Sequence, residues 1–328
     1  MDTKNISDQL LSNESGNVTV VTAVIIPYVF CIFCGVLSVL IMGGNLLVII
    51  SIVYFKQLHT PTNYLMLSLA VADLLVGIFT LPFTIILFVT SYSSVQGILC
   101  TVRSGLDSIL CVTSIWTLCF ISVDRYYAVC QPLRYRNEIT GRVIGIMILA
   151  SWTVATAIGG TLTFQSPDIG QSSTTCVLFQ NKMLKSLLLG TLFGFCIPAI
   201  IMTAIYIKIL LVAQRQACKI LNMSKSGTTV SRSERKATKT LAIVMGVFMI
   251  CWVPFFISVS CHALSNYSTP SSVVQFFKML GWTNSMFNPC VYAFFYRHFR
   301  LTFGMVIKGK IFKNDFSNMR LYHKHDML

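Results

Sequence analysis

The chain has 328 residues, of which 55% are hydrophobic and only 11% charged, with a mean hydropathy of +0.72. A soluble globular protein carries about 25% charged residues, so a disordered chain, a nucleic-acid-binding tail and a water-soluble enzyme domain are excluded as first readings. Lys and Arg number 25 against 11 Asp and Glu, a formal +14, and what that excess means depends on where the charges lie.

A membrane-spanning helix needs about 20 mainly apolar residues. The first such stretch runs over 15–55 and holds Asn45. The second covers about 63–90, interrupted only by Asp73. The third, about 97–127, contains Arg103, Asp107, Asp124 and Arg125. The fourth, about 143–166, is free of charge, and the fifth, about 186–212, has Lys208 near its end. The sixth covers about 238–263, and the seventh, about 272–296, holds Lys278. Barrel strands would alternate apolar and polar positions in segments of about 10 residues, and these runs are longer and more uniform. The expected fold is therefore all-α: a seven-transmembrane helix bundle over 21–296. A glycosylated tail at 1–20 would precede it, and an amphipathic helix and short cytoplasmic tail at 297–328 would follow. That helix is read from Phe299, Phe303, Val306 and Ile307 interspersed with Arg300, Lys308 and Lys310, a pattern that lies on the inner leaflet.

Orientation follows from the basic residues of the loops. One side holds Lys4, Arg103, Lys182, Lys185 and Lys278, and the other holds the remaining 20 of 25. This predicts a multi-pass protein with its N-terminus outside and its C-terminus in the cytoplasm. No short apolar segment with a cleavage site precedes the first span, so that span is expected to direct insertion itself. Sequons at Asn5, Asn13 and Asn17 fit an outer N-terminal segment. Asn266 would lie on the same face, whereas the Asn222 sequon would face the cytoplasm and stay unused. Cys100 and Cys176 both fall on the oxidising side. A disulfide between them is expected, against the alternative of two free thiols.

Ionisable groups within a bilayer cost about 2.5–3.5 kcal/mol each at mid-span and tend to mark function. Asp73, with Ser114, Asn284 and Asn288, and with Asn45 and Ser285 near by, offers a carboxylate among hydroxyl and amide oxygens. Such a set could hold sodium as an allosteric ion; a water-bridged structural cluster is the alternative. Asp124-Arg125-Tyr126 ends the third span, and Arg125 has two candidate acids, Asp124 and Glu234. Breaking that pair would free the sixth span; the alternative is a solvated interfacial pair of about 0–1 kcal/mol. Pro198, Pro254 and Pro289 interrupt spans five, six and seven, and each removes a backbone hydrogen bond and can kink its helix.

Taken in order, Gly44-Asn45, Leu69 to Asp73, Asp124-Arg125-Tyr126, Trp152, Pro198 with Tyr206, Cys251-Trp-Val-Pro-Phe-Phe256 and Asn288-Pro-Cys-Val-Tyr292 resemble the rhodopsin-like family of G-protein-coupled receptors over about 20–310. The similarity narrows to amine receptors, above all the trace amine-associated group. It rests there on Asp107 seven residues after Cys100, the Cys-Trp-Val-Pro-Phe-Phe run, the stretch Ser122 to Tyr135 and Gly281 to Pro289. The resemblance implies that a protonated amine pairs with Asp107 and that Phe255, Phe256, Trp252 and Trp282 enclose its body, with Cys111 and Thr191 also lining the site. It implies switching through Asp124, Arg125, Tyr126, Tyr206, Glu234 and Tyr292. Trp252 and Phe248 beside Ile115 and Pro198 would relay the shift. A heterotrimeric G protein, arrestin, a receptor kinase and membrane lipids are the implied partners. Since the trace amine-associated group is largely olfactory, volatile or waterborne amines are the implied stimuli.

Three departures from that pattern stand out. Trp282 replaces the Tyr that usually hydrogen-bonds the aspartate, and an indole N–H could donate in its place but cannot accept. Gly190, Thr191 and Gly194 stand where catecholamine receptors carry serines. No cysteine precedes Cys31, where many of the group have one in the N-terminal tail, and none follows Cys290, so the palmitoyl anchor common in the family is not expected. Arg103 and Lys278 flank the site one turn outward of Asp107 and Trp282. Either could neutralise Asp107 or meet the acid end of a zwitterionic, amino-acid-like ligand, and snorkelling toward the interface is the bland alternative.

Other functions fit less well. A retinal photoreceptor would need its lysine at the Trp282 position. A transporter or channel would favour inverted repeats and helices broken at midplane, and no internal repeat is present. No nucleophile–base arrangement, metal spacing or phosphate-binding loop suggests an enzyme or a bound cofactor beyond the sodium. With the basic excess on the cytoplasmic side, the +14 is an orientation signal and a surface for anionic lipid, not a nucleic-acid footprint.

Overall fold

The computed structural model describes residues 3–89, 93–164, 184–223, 232–264 and 270–309. Among them no strand is present. Helix α1 (Thr3–Tyr54) is followed by a short 3-10 turn at Lys56–Leu58. Helices α2 (Pro61–Leu75) and α3 (Leu81–Val89) form the second span, joined by a π turn at Val76–Thr80. Helix α4 (Ser93–Cys130) is the third span, α5 (Pro132–Glu138) sits in the following loop, and α6 (Gly141–Phe164) is the fourth span. Helices α7 (Leu184–Thr191) and α8 (Ile197–Met223) flank a second π turn at Leu192–Cys196 in the fifth span. Helices α9 (Arg232–Leu264) and α10 (Ser271–Phe295) are the sixth and seventh, and α11 (Arg297–Ile307) follows.

Among the described residues, six helices are long and apolar enough to cross a membrane. The seventh, α10, is 25 residues long but carries Lys278, Thr283, Asn284, Ser285 and Asn288, which dilute its apolar character. All of those except the half-buried Thr283 are buried, so the polarity faces the bundle. The outer surface is the reverse: Val29, Ile32, Val36 and Val39 of α1 are each more than half exposed. Lipid tails are as apolar as these side chains, so helix association rests on packing and on hydrogen bonds between helices.

Those bonds join neighbouring spans. Asn45 donates from α1 to the Ser285 carbonyl of α10 at 3.0 Å, and the Trp152 indole donates from α6 to Ser68 Oγ of α2 at 3.1 Å. Gly44 lets α1 approach α10 closely, since a Cβ there would stand 3.0 Å from the Pro289 ring. Thr60 caps α2, accepting from the Asn63 N–H at 3.4 Å with Pro61 at the first helical position. Such a cap contributes about 1 kcal/mol.

The π turns explain how two prolines are accommodated. Pro198 follows one turn by two residues, and Pro82, which was not singled out from the sequence, follows the other in the same way. A proline cannot bond to the carbonyl four residues back and clashes with it; widening the preceding turn relieves the clash. Carbonyls within the two turns take side-chain donors from neighbouring spans. Ser38 Oγ donates to Gly77 O at 2.6 Å, and the Trp116 indole donates to Phe193 O at 3.2 Å.

The apolar face of α11 is used partly within the protein. Phe299 and Phe303 are buried against the bundle, with Tyr292 and Phe299 ring centroids 5.7 Å apart. The helix expected to lie on the inner leaflet thus turns part of its apolar face to the bundle and leaves Ile307 exposed.

Candidate functional site

Asp107 of α4 lies two helical turns from Cys100, facing α10. It is 5% exposed, and both its oxygens are engaged. Lys278 Nζ stands 2.5 Å from Oδ2, and the Trp282 indole N–H donates to Oδ1 at 2.8 Å. Lys278 and Trp282 are one turn apart on α10, so both reach the same carboxylate, and the ammonium also lies 5.7 Å from the Trp282 ring centroid. Arg103, one turn outward on α4, donates from Nη1 to Thr84 Oγ1 of α3 at 3.4 Å. It acts electrostatically on both Asp107 and Lys278. Arg103 is 4% exposed and Lys278 7%. Neither cation snorkels to the interface. Removing one partner from a buried pair of this kind costs about 3–5 kcal/mol.

Below the carboxylate lies an aromatic cluster from α9. Trp252 is buried, with Phe255 and Phe256 half-buried beside it, and Trp252 stands 6.0 Å from each ring centroid. Phe195, in the fifth-span π turn, stacks on Phe256 at 4.1 Å with an interplanar angle of 11°. Sequence reasoning missed Phe195, because its direction depends on the π turn. Thr191 is buried and Cys111 half-buried. Ile115 and Phe248 share one fully buried core with Trp252.

A second buried carboxylate sits deeper. Asp73 is fully buried and accepts from Ser114 Oγ at 3.2 Å, Ser285 Oγ at 2.7 Å and Asn288 Nδ2 at 2.7 Å. Two spans, the third and the seventh, therefore donate to this carboxylate of the second. Asn284 is buried near by, but the span-seven donors recorded on Asp73 are Ser285 and Asn288. Carboxylate and hydroxyl oxygens of this kind suit a small hard cation such as sodium.

At the other end of α4, Arg125 pairs with Asp124, its Nη2 lying 2.6 Å from Oδ2 and its Nε 2.9 Å away. Thr62 of α2 donates to the same Oδ2 at 2.8 Å and also accepts from Arg125. Tyr135 of α5 donates to Oδ1 at 3.1 Å. Burial pushes the Tyr135 phenol above its ordinary range, which keeps it a donor. Thr62 and Tyr135 were not singled out from the sequence for this role, since only the fold brings them to Asp124. Tyr126 packs edge-on against Tyr127, and Tyr292 is buried 6.2 Å from the Tyr296 ring. Tyr206 is half-buried against the main core. The side chains of Asn5, Asn13, Asn17 and Glu234 lie outside the described residues, as does Cys176. Cys100 is disulfide-bonded.

Comparison with known proteins gives a consistent result. The family described as 7 transmembrane receptor (rhodopsin family) matches residues 44–292. The chain is 41% identical to trace amine-associated receptor 4 of Mus musculus over 321 residues, covering 92% of this chain and 91% of that protein. It is 38% identical to trace amine-associated receptor 5 of Homo sapiens, covering 91% and 90%. Against trace amine-associated receptor 1 of Macaca mulatta it is 39% identical, covering 85% and 87%.

Proposed function

We propose that this chain, which belongs to the rhodopsin family of seven-transmembrane receptors, is a receptor for a small protonated amine and acts through a heterotrimeric G protein. It is a multi-pass membrane protein and a receptor, not an enzyme. The observation that carries the amine reading is Asp107: a buried carboxylate held by an indole donor on one oxygen and the Lys278 ammonium on the other. A ligand ammonium takes the place of the Lys278 ammonium on Oδ2. The faces of Trp252, Phe255 and Phe256 add cation–π attraction. Relatives named for trace amines support the same class.

Ligand binding shifts an existing equilibrium by its differential affinity for the active state. Trp252, packed with Phe248 and Ile115, passes the shift inward. The Asp124–Arg125 pair then opens, and a helix of the G protein enters between the spans. Receptor kinase and arrestin act on the same cytoplasmic face. Asp73 with its three donors holds sodium in the resting state. The protein sits in the plasma membrane with its sequons outside, Cys100 bonded to Cys176, and its 20 inner basic residues facing anionic lipid.

The test is a cyclic-AMP reporter screen of mono-, di- and polyamines with an Asp107→Ala control at matched surface expression. Loss of the amine response by about 100-fold or more is expected, as for an uncompensated buried charge. Amine responses that survive the substitution would remove this reading.

A further inference from the structure

Three ionisable side chains are buried at this point among the described residues: the Asp107 carboxylate, the Lys278 ammonium and the Arg103 guanidinium. Both carboxylate oxygens are already taken, Oδ2 by Lys278 and Oδ1 by Trp282. A simple monoamine entering this site must displace the Lys278 ammonium. The displaced Lys278 ammonium would then remain in a desolvated pocket beside the ligand's ammonium, without the carboxylate that held it. That arrangement opposes binding through both like-charge repulsion and loss of the lysine's partner.

From this geometry we infer that the preferred ligand is a zwitterion, an amine that also carries a carboxylate a few bonds away, as an α-amino acid does. The inference rests on the amine reading above and adds the second half of the ligand. Its ammonium takes Oδ2 of Asp107. Its carboxylate receives the released Lys278 ammonium, with the Arg103 guanidinium one turn outward. Charges then alternate in sign from Asp107 through the ligand to the two cations. The Lys278 side chain needs only to swing from one carboxylate to another, so its ammonium keeps a counterion. Lys278 serves as an internal stand-in for the ligand's ammonium. It is a specificity-determining residue, rejecting amines that bring no anion to replace Asp107.

The experiment varies the ligand first, so that it does not depend on any variant folding. Full-length receptor in cells is challenged with matched pairs: aromatic and aliphatic α-amino acids, the amines left when the carboxyl is removed, and the methyl esters. Spacing is tested with ω-amino acids of increasing length. The expected result is that the amino acid is more potent than its decarboxylated partner by about tenfold or more. The methyl ester, which keeps the ammonium and loses the anion, should behave as the amine does. In Lys278→Met, and separately in Lys278→Gln, the order should reverse, with the monoamine gaining about tenfold and the amino acid losing it. Monoamines more potent than their amino acids in the wild type, in an order unchanged by either substitution, would overturn the inference and leave the amine reading standing. Responses to either class that survive Asp107→Ala would instead overturn the amine reading. A receptor silent to every compound, yet expressed at the surface, would count against both.

Discussion

The indole N–H of Trp282 reaches the carboxylate of Asp107 at 2.8 Å, across 175 positions of sequence. An indole can donate but not accept, so the bond has one polarity and fixes Oδ1 as the acceptor. The other oxygen is left to a cation. Trp282→Phe should keep an aromatic ring and remove the donor, with a loss of volume that a Tyr variant shares. A hydrogen bond to a charged group contributes about 1.5–3 kcal/mol, so ligand potency should fall by roughly 10- to 100-fold. Trp282→Tyr, with a phenol that can donate, should recover most of the loss. Concentration–response curves at equal surface expression decide it, and equal potency in Phe and Tyr variants would show that the bond contributes nothing.

The Trp252 indole packs close against Gly281. A Cβ added at Gly281 would stand 2.7, 2.9 and 3.0 Å from three atoms of the indole. Those are ring atoms of a buried side chain, not the tip of a flexible one. Gly281→Ala must therefore push Trp252 out of its resting position, at a cost of about 1–3 kcal/mol for overpacking. If this position of Trp252 belongs to the resting state, ligand-independent nucleotide exchange on the G protein should rise and the melting temperature of the detergent-solubilised receptor should fall. An unchanged melting temperature would mean that the pocket yields elsewhere.

Much of this was legible in the sequence because a bilayer makes charge expensive. Seven apolar runs stood out from their charged borders, and the few ionisable groups inside them marked each polar centre in advance. Lys278 and Asp107 could be suspected as partners because each sat one or two turns from a motif of known depth. Depth, however, is not azimuth. Neighbouring residues on a helix differ by about 100°, so placing Asn284 in the Asp73 set and Ser285 only near by had no azimuth to rest on, and the structure gives the bond to Ser285. Thr62 and Tyr135 escaped notice for a related reason: an ordinary hydroxyl carries no signal until the fold sets it beside a carboxylate. Phe195 and the widened turn before Pro82 depend on π geometry, which has no 3.6-residue period to read.

Asp124 is held by more than its arginine. Thr62 donates to Oδ2 at 2.8 Å and Tyr135 to Oδ1 at 3.1 Å, and together they orient the carboxylate toward Arg125. Each bond contributes about 1 kcal/mol. Thr62→Ala and Tyr135→Phe should each raise basal nucleotide exchange by about fivefold if the bonds are confined to the resting state. The double variant should exceed either single one. Basal exchange at the wild-type level in both, with normal surface expression, would mean that these bonds persist through activation.

The Asp73 cluster makes a prediction about salt. Ser114, Ser285 and Asn288 all donate to this fully buried carboxylate, and hydrogen bonds alone leave its charge uncompensated. Sodium would supply the missing charge, with the two hydroxyl oxygens turning from donors into ligands. An ion that binds the resting state more tightly than the active one must weaken agonist binding by the same factor. Raising sodium at constant ionic strength, with N-methylglucamine as the replacement cation, should therefore lower agonist affinity in the wild type. Asp73→Asn removes the charge and keeps the hydrogen-bonding shape, so its agonist affinity should be insensitive to the exchange. Reciprocal coupling also requires agonist to weaken sodium binding. Equal agonist affinity in the two salts for the wild-type receptor would leave the cluster as a structural link between spans two, three and seven, with no ion in it.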